Sequence, residues 1–578
     1  MRNYAIIGGG PRGLYALESL YLALFNSESN KEVKVTLFEP FAYPGAGWVW
    51  NPEQVTTNWL NITERGLQGL KGRPEIQFGT SIIPGFPSYS DWIEKEKDTI
   101  TDNTPDTFPP RAKMGTYLNA RFETIVKALQ GFGLLLVIKE KVVDIKYIPP
   151  HFEIITKQQS IKGIDEIVLT VGHQDTELSE QLKKWQEHAK ENKVPQTFTE
   201  PYPVEKILQA TIDKTTVVGF RGFGLATIDL LRALTIKKGA HFEILNEHTR
   251  EVAFKPSEKH PEKFVPFSLD GLPMVPKPLN KTVDDLFAPS EDALSAFAKA
   301  VNQGACGEHT AKHHYFLLES MAEVVVPIFL SLGSKAIEHD YTSSELYYLA
   351  INYISNKEID HPLLLSHKLP TLEMMQDQVG MAIGEVQITL DYCIGQVWRH
   401  CQPTIYSEFS YPELPDAVVA EVIALDEASK RYTYGPPVES IQQLIALTKA
   451  GYLDLSVLKD PDINLHNEGW KLKLEEQELD VHTMINAVLD APELVKVNTT
   501  LIQNLLKDKM IEPKHTDLGI RTDDYGYVEV PEDKSFVPLA VLGRLSKGSV
   551  IGVDAILECF GKRITSWANH SIKCMLEK

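Results

Sequence analysis

Cysteine is scarce: Cys306, Cys393, Cys401, Cys559 and Cys574 are all there is in 578 residues, and no two stand in a CxxC pair. An odd, scattered set excludes a disulfide scaffold, a zinc ribbon and a redox-active dithiol, and suits a reducing cytoplasm. Basic charge is also short. Lys and Arg number 58 against 78 Asp and Glu, a formal charge of -20, so nucleic acid and anionic membrane are poor partners for such a surface. The longest apolar run, near Val324 to Leu332, is interrupted by Pro327 and falls well short of the ~20 residues a membrane span needs. No basic segment leading into an apolar stretch precedes Tyr4, so no secretory leader is expected. There is no GxSxG elbow, no P-loop and no repeat of fixed period. What these absences leave is a cytoplasmic, soluble chain acting on a small molecule, too long for one hydrophobic core.

Glycine, by contrast, is placed with purpose. Tyr4–Ile7 is a short β-branched strand, and Gly8-x-Gly10-x-x-Gly13 follows it directly, with Pro11 and Arg12 inside the turn and an amphipathic helix from Gly13 to Phe25 behind. Such a turn cradles a pyrophosphate. Gly8 permits the tight bend, Gly10 lets backbone amides approach the phosphates, and Gly13 lets the helix close on the strand. The next strand, Val33–Phe38, ends at Glu39, a carboxylate able to accept a ribose 2′-OH and to repel a 2′-phosphate.

A second unit begins near Thr215. A strand at Thr215–Val218 leads to Gly219-x-x-Gly222-x-Gly224, a helix through Leu234 and a strand at Phe242–Leu245. Its spacing departs from GxGxxG by the Phe220-Arg221 pair. The strand tip Leu245-Asn246 is not acidic, although Glu247 follows directly and could reach a ribose, and Arg250, with Lys255 and Lys259, suits an NADP 2′-phosphate better than a bare ribose. A packed unit that binds nothing is the alternative.

From Val283 to Leu506 the apolar spacing is helical, at Val283–Gln303, Tyr315–Leu332, Ser343–Ser355, Gln378–Arg399 and Glu413–Ser429. Short strands return after Thr516, and a closing helix is expected from Gly552. The fold class is therefore α/β: two Rossmann-like dinucleotide-binding domains, the first discontinuous, plus a mostly helical insertion. The expected boundaries are 1–204 with 516–578 for the first domain, 205–282 for the second and 283–515 for the insertion, which is a candidate surface for substrate or a protein partner.

The chain resembles the bacterial FAD/NAD(P)-binding protein family, distant kin of the flavin-dependent N-hydroxylating monooxygenases for ornithine and lysine. The segments that carry the resemblance are Ile6–Gly13, Val35–Pro40, Gly45-Ala-Gly47, Asn58–Ile62, Pro87–Trp92, Pro110–Leu118, Leu169–His173, Lys255–Ser257 with Gly271–Pro273, and Gly519-Ile520 with Gly552–Asp554. They span both ends and leave the helical insertion unmatched. The resemblance implies FAD in the first turn, with Gly172 near the end of the FAD half. It also implies Gly552 and Asp554 at the flavin's ribityl chain, and NADP at the second turn. The activity implied is that of an FAD-dependent oxidoreductase, monooxygenase-like and reduced by NADPH, acting on a small metabolite such as an amine. An oxidase or dehydrogenase without nicotinamide, and a flavin-binding sensor without catalysis, are the alternatives.

Asn58 and Asn61 are the candidate catalytic residues, because an amide donates and accepts hydrogen bonds near a flavin without carrying charge. Arg111 is a candidate for a phosphate or carboxylate, or for a salt bridge. Trp48, Trp50 and Trp59 would wall the flavin or pack a core. His309 and His313 stand one helical turn apart, but the run His309-Thr-Ala-Lys-His313 lacks the HExxH glutamate, so no metal is expected.

Overall fold

The structure is a computed structural model. It describes residues 1–578 except 30, 79–80, 94–100, 193–195, 308–310, 530–535 and 578. Two parallel sheets organise the chain. The first runs in the order Leu539–Val541, Glu166–Leu169, Arg2–Ile7, Val33–Phe38, Leu135–Ile138, each strand parallel to its neighbour. Its strands come from both ends of the chain. The buried runs explain their formation: Tyr4, Ala5 and Ile6 are sealed on both faces, as parallel strands require. One face is covered by the Pro11–Asn26 helix and the closing Lys562–Glu577 helix, which pack on each other. An antiparallel sheet of Val142–Ile148, His151–Thr156 and Ser160–Ile164 shares the core of the other face.

The returning end is fastened through one buried carboxylate. Glu166 accepts from Arg2 (2.7 Å), Tyr527 (2.7 Å), Trp567 (2.9 Å) and Ser571 (2.8 Å). Three of these four donors belong to the last part of the chain. Removing the carboxylate would leave them buried without partners, which costs roughly 1–3 kcal/mol for each group so stranded.

The second sheet runs Gln196–Phe198, Thr483–Asn486, Val217–Arg221, Lys263–Phe267, again all parallel. The expected boundaries at 204 and 515 cut across it, since Gln196–Phe198 and Thr483–Asn486 both belong here. Short β-branched strands such as Thr483–Asn486 carry no turn motif that would set them apart from the helices before them. The strand expected at Phe242–Leu245 also lies elsewhere. It forms an antiparallel ribbon, His241–Asn246 with Glu251–Lys255, outside the parallel sheet.

Among the described residues, seven α-helices run between 291 and 449. The helix expected over Gln378–Arg399 is two. Thr371–Ile383 stops at Gly384, whose φ of +79° is the left-handed cap glycine favours. The Thr389 side chain then caps Leu390–Glu408 by accepting from the Tyr392 amide. The closing helix starts at Lys562, not Gly552, because residues 552–561 form turns and a short 3-10 segment. The helices are no appendage: Val325, Val397 and Leu444 share one continuous core with Val218, Phe220 and Leu230 of the second sheet unit. Among the described residues no helix is long and apolar enough to cross a membrane.

Two antiparallel connections join the sheets. Glu177 N–H donates to Lys496 C=O (2.8 Å) and Asn498 N–H to Asp175 C=O (3.0 Å), so the outgoing and returning segments run side by side.

Candidate active site

At the first turn the chain leaves Ile7 and bends at Gly8, whose φ is +104°. Gly10 is the N-cap of the Pro11–Asn26 helix, Pro11 occupies its first position, and no side chain caps it. The amides of that first turn therefore remain available to an anion. A Cβ on Gly13 would lie 2.0 Å from the Gly8 carbonyl oxygen, so only glycine lets helix and strand approach this closely. Glu39 is 3% exposed. Its carboxylate accepts from the Gly9 N–H (2.6 Å) and the Phe41 N–H (2.9 Å), and burial pushes its pKa up against those two bonds. Gly45 and Gly47 fold over this turn, with Gly45 N–H donating to Gly9 C=O (2.5 Å).

The second turn repeats the first, in a register that differs from the sequence expectation. The strand extends through Arg221, so Gly219 lies inside it; a Cβ there would meet Val481 and Met484, and Gly219 serves strand packing. The turn itself is Gly222-x-Gly224-x-x-Thr227. Gly222 has φ +111°, and Gly224 is the uncapped N-cap of Leu225–Ile236. The backbone bonds correspond one by one. Gly8 N–H donates to Phe38 C=O (2.9 Å), and Gly222 N–H to Phe267 C=O (2.7 Å). Thr170 N–H donates to Ile7 C=O (2.9 Å), and Ala487 N–H to Arg221 C=O (2.8 Å). Where Gly13 presses on Gly8 C=O, the Thr227 hydroxyl donates to Gly222 C=O at 2.6 Å. This hidden GxGxxT, shifted three residues from Gly219, could have been found by asking which glycine follows the last strand residue.

Arg250 does not belong to this turn. It sits at the tip of the antiparallel ribbon with φ +57°, ion-paired to Glu247 (3.1 Å), and Lys255 pairs with Glu243 (2.8 Å). The ribbon interrupts the β–α–β order, so the residues after Leu245 are not at the end of a strand beside Gly222.

Between the two turns lies the 55–65 loop. Asn58 is 1% exposed. Its Nδ2 donates to Gln54, its carbonyl accepts from the Arg111 N–H (2.9 Å), and its Oδ1 has no partner. Thr57 C=O accepts from Arg232 of the second turn's helix (3.0 Å). Arg232 lies over the Trp59 ring at 3.7 Å, and burial pushes its pKa down to about 10. Arg111 is engaged in a buried ion pair with Asp229 (2.8 Å), which also accepts from Tyr202 (2.7 Å). Trp48 is exposed and stacks on His173, while Trp50 packs against the first core.

Asn61 contributes its carbonyl, which accepts from Lys277. Lys277 is deeply set and has no ion pair among the described residues. Burial and the nearby Arg399 push its pKa down to about 7. Arg65, Arg399 and His400 converge on Asp284, whose pKa they hold well below the carboxylate range against its desolvation. Arg65 also pairs with Asp106 (2.7 Å). Lys277 therefore stands in this cluster as a cation without a matching anion. An invariant spacing does not mark it, so sequence reasoning missed it.

The closing segment meets the first turn. Arg12 donates to Val553 C=O and lies against Gly543. Gly552, at φ +76°, is covered by the Tyr406 ring. Asp554 pairs with Lys430 (2.9 Å) and lies 3.7 Å from Arg544, cations that hold its pKa below the usual range. It caps no helix. Thr170 Oγ1 donates to Gly8 C=O (2.6 Å), and Gly172 follows at φ +69° with open space before it. His309 lies outside the described residues; His314 pairs with Glu421. No group of three metal-ligating side chains occurs among the described residues.

The residues present fit two nucleotides: two uncapped helix N-termini after glycine bends, a buried carboxylate beside one of them, and the unmet Asn58 acceptor between them. Comparison with known proteins agrees. Residues 5–174 match the family model described as FAD-NAD(P)-binding, and the chain carries that domain. Over 567 residues, 90% of this chain and 83% of the relative, it is 23% identical to the nitrosuccinic acid synthase of Aspergillus oryzae. It is 26% identical over 263 residues to the L-aspartate N-monooxygenase (nitrosuccinate-forming) of Streptomyces davaonensis, covering 41% of this chain and 39% of that one. Among solved structures, ornithine hydroxylase from Pseudomonas aeruginosa is similar over 99% of each chain, with 8% identity and a TM-score of 0.47.

Proposed function

We propose that the chain is a cytoplasmic FAD-dependent monooxygenase, reduced by NADPH, that hydroxylates the amino nitrogen of a small amino acid bearing a carboxylate. The observation that carries this reading is the pair of glycine turns in matching register, each a bend at positive φ followed by an uncapped helix N-terminus, the first beside the buried Glu39. Similarity along 90% of the chain to a nitrosuccinic acid synthase supports the substrate class. Five free cysteines support the cytoplasmic setting.

Bound FAD would supply the redox chemistry, through which two electrons from NADPH and one O2 put one oxygen atom on the amino nitrogen and release the other as water. The chain's own residues bind and position. The backbone N–H groups of Gly10, Arg12 and Gly13 would hold the pyrophosphate, Pro11 having none to give, and Glu39 would accept the adenosine ribose hydroxyls. Gly172, Gly552 and Asp554 border the flavin end, where Asp554 fixes ribityl hydroxyls once shared with Lys430. Asn58 offers its unmet Oδ1 to a donor on flavin or substrate. Lys277, on the other side of Asn61, holds the substrate carboxylate, which would neutralise a buried cation that otherwise costs several kcal/mol. The helical region brings Arg399 and His400 onto Asp284 in the same charged cluster.

The purified protein is expected to be yellow, to consume NADPH faster when L-aspartate is added, and to convert that amino acid to a product heavier by oxygen. Flavin that turns over no amino acid and is not reduced by NADPH would refute the reading. Flavin reduced directly by a substrate would favour an oxidase.

A further inference from the structure

The correspondence between the turns extends one strand further. In the first sheet Ile7 pairs with Phe38, and the next residue, Glu39, donates its N–H to Ile138 C=O (3.0 Å). In the second sheet Arg221 pairs with Phe267, and the next residue, Ser268, donates its N–H to Leu458 C=O (2.9 Å). Ser268 therefore occupies the place of Glu39, and Lys459, bridged to Ser268 in parallel, occupies that of Lys139. The antiparallel ribbon had hidden this by separating the two strands in sequence.

We propose that Ser268, with Lys459, forms the subsite for the adenosine 2′-phosphate of NADPH and sets the preference for NADPH over NADH. This rests on the nicotinamide reading of the second turn. A carboxylate at this position accepts a ribose diol and repels a phosphate; a hydroxyl does neither harm nor repulsion to phosphate and can donate to it. The surroundings are consistent in detail. The Ser268 side chain accepts from the Gly271 N–H (3.1 Å), and the bend at Gly271, φ +67°, sits against the Lys459 Cβ. Two acids are nearby: the Ser268 hydroxyl donates to Asp270 Oδ1 (3.0 Å), which also accepts from the Leu272 N–H (3.2 Å), so a phosphate has to take the serine proton from Asp270, and Asp460 donates its backbone N–H to Ser268 C=O (2.9 Å). Ser268 is partly exposed and Lys459 exposed, so a nucleotide can reach both.

The test is the ratio of flavin-reduction efficiency with NADPH to that with NADH, measured anaerobically on the FAD-loaded wild type and on Ser268→Glu, Lys459→Ala and Asp270→Asn. Ser268→Glu is expected to lower the ratio at least tenfold by losing NADPH, with NADH retained. Lys459→Ala lowers it severalfold, and Asp270→Asn raises it. Ratios unchanged in both Ser268→Glu and Lys459→Ala, with wild type reduced normally, would overturn the subsite alone. Wild type reduced by neither nucleotide would overturn the nicotinamide reading, and the subsite with it.

Discussion

The two glycine turns differ mainly at their third position. In the first, Gly13 brings the helix so near that its missing side chain is the contact, and Thr170 from the neighbouring strand supplies a hydroxyl to Gly8 C=O. In the second, Thr227 on the helix supplies the equivalent hydroxyl to Gly222 C=O. The same carbonyl is satisfied from the strand side in one unit and from the helix side in the other. One geometric problem, a strand-end carbonyl buried under a helix, thus has two solutions in a single chain. The tighter solution carries the acid Glu39; the looser one carries Ser268. Under the proposed reading, this division would suit one turn to FAD and the other to a phosphorylated nicotinamide nucleotide.

The strongest way to break the first turn is Gly13→Val. Its side chain would collide with Gly8 C=O, and relieving the clash costs ~1–3 kcal/mol or more of local packing. Flavin content after purification, read from the absorbance ratio, should fall below about a tenth of wild type; undiminished flavin would mean the turn does not hold FAD. Lys277→Met should raise the KM for the amino acid about thirtyfold, the loss expected for a charged hydrogen bond of ~2 kcal/mol, while leaving flavin content unchanged. An equal fall in kcat with KM constant would assign Lys277 another role.

The same lysine predicts a pH dependence. Its pKa lies near 7, below the ordinary lysine value, so free enzyme loses the cation as pH rises through 7. Anion binding needs the protonated form, so kcat/KM should be level below about pH 7 and fall up to tenfold per unit above it. Lys277→Arg should flatten that limb, since guanidinium keeps its proton. The smallest effect belongs to Thr227→Val. Losing one hydrogen bond of ~1 kcal/mol should raise the KM for NADPH about fivefold, with flavin retained. A fall in flavin instead would show that the two turns are not independent.

Much of the first unit was legible in the sequence because its signals are local: strand, Gly8-x-Gly10-x-x-Gly13, helix and Glu39 follow in order. The closing strand Leu539–Val541 was legible too, as a return of strand pattern near the chain end. The second unit was harder. Gly219 drew attention because it precedes the others, yet the strand runs on through Arg221 and buries Gly219 against Met484. Ser268 and Lys459 could not be placed because an antiparallel ribbon and the whole helical region intervene before their strands meet. Lys277 was invisible for a related reason: its isolation is a property of which anions surround it in space. Arg250, attractive as a cation near a strand tip, lost its role once that strand proved to lie outside the parallel sheet.

The central claim is that the two turns hold different nucleotides, and the matched pair Gly10→Val and Gly224→Val reads it most directly. Both glycines are N-caps with φ values open to valine, and neither added Cβ meets a close contact. Both variants should therefore fold, with the new side chain set where a pyrophosphate must approach. On anaerobic mixing with NADPH, Gly224→Val should arrive yellow and stay yellow, wild type should bleach, and Gly10→Val should arrive without flavin. Gly224→Val bleached by NADPH as fast as wild type, or Gly10→Val purified with full flavin, would contradict the account.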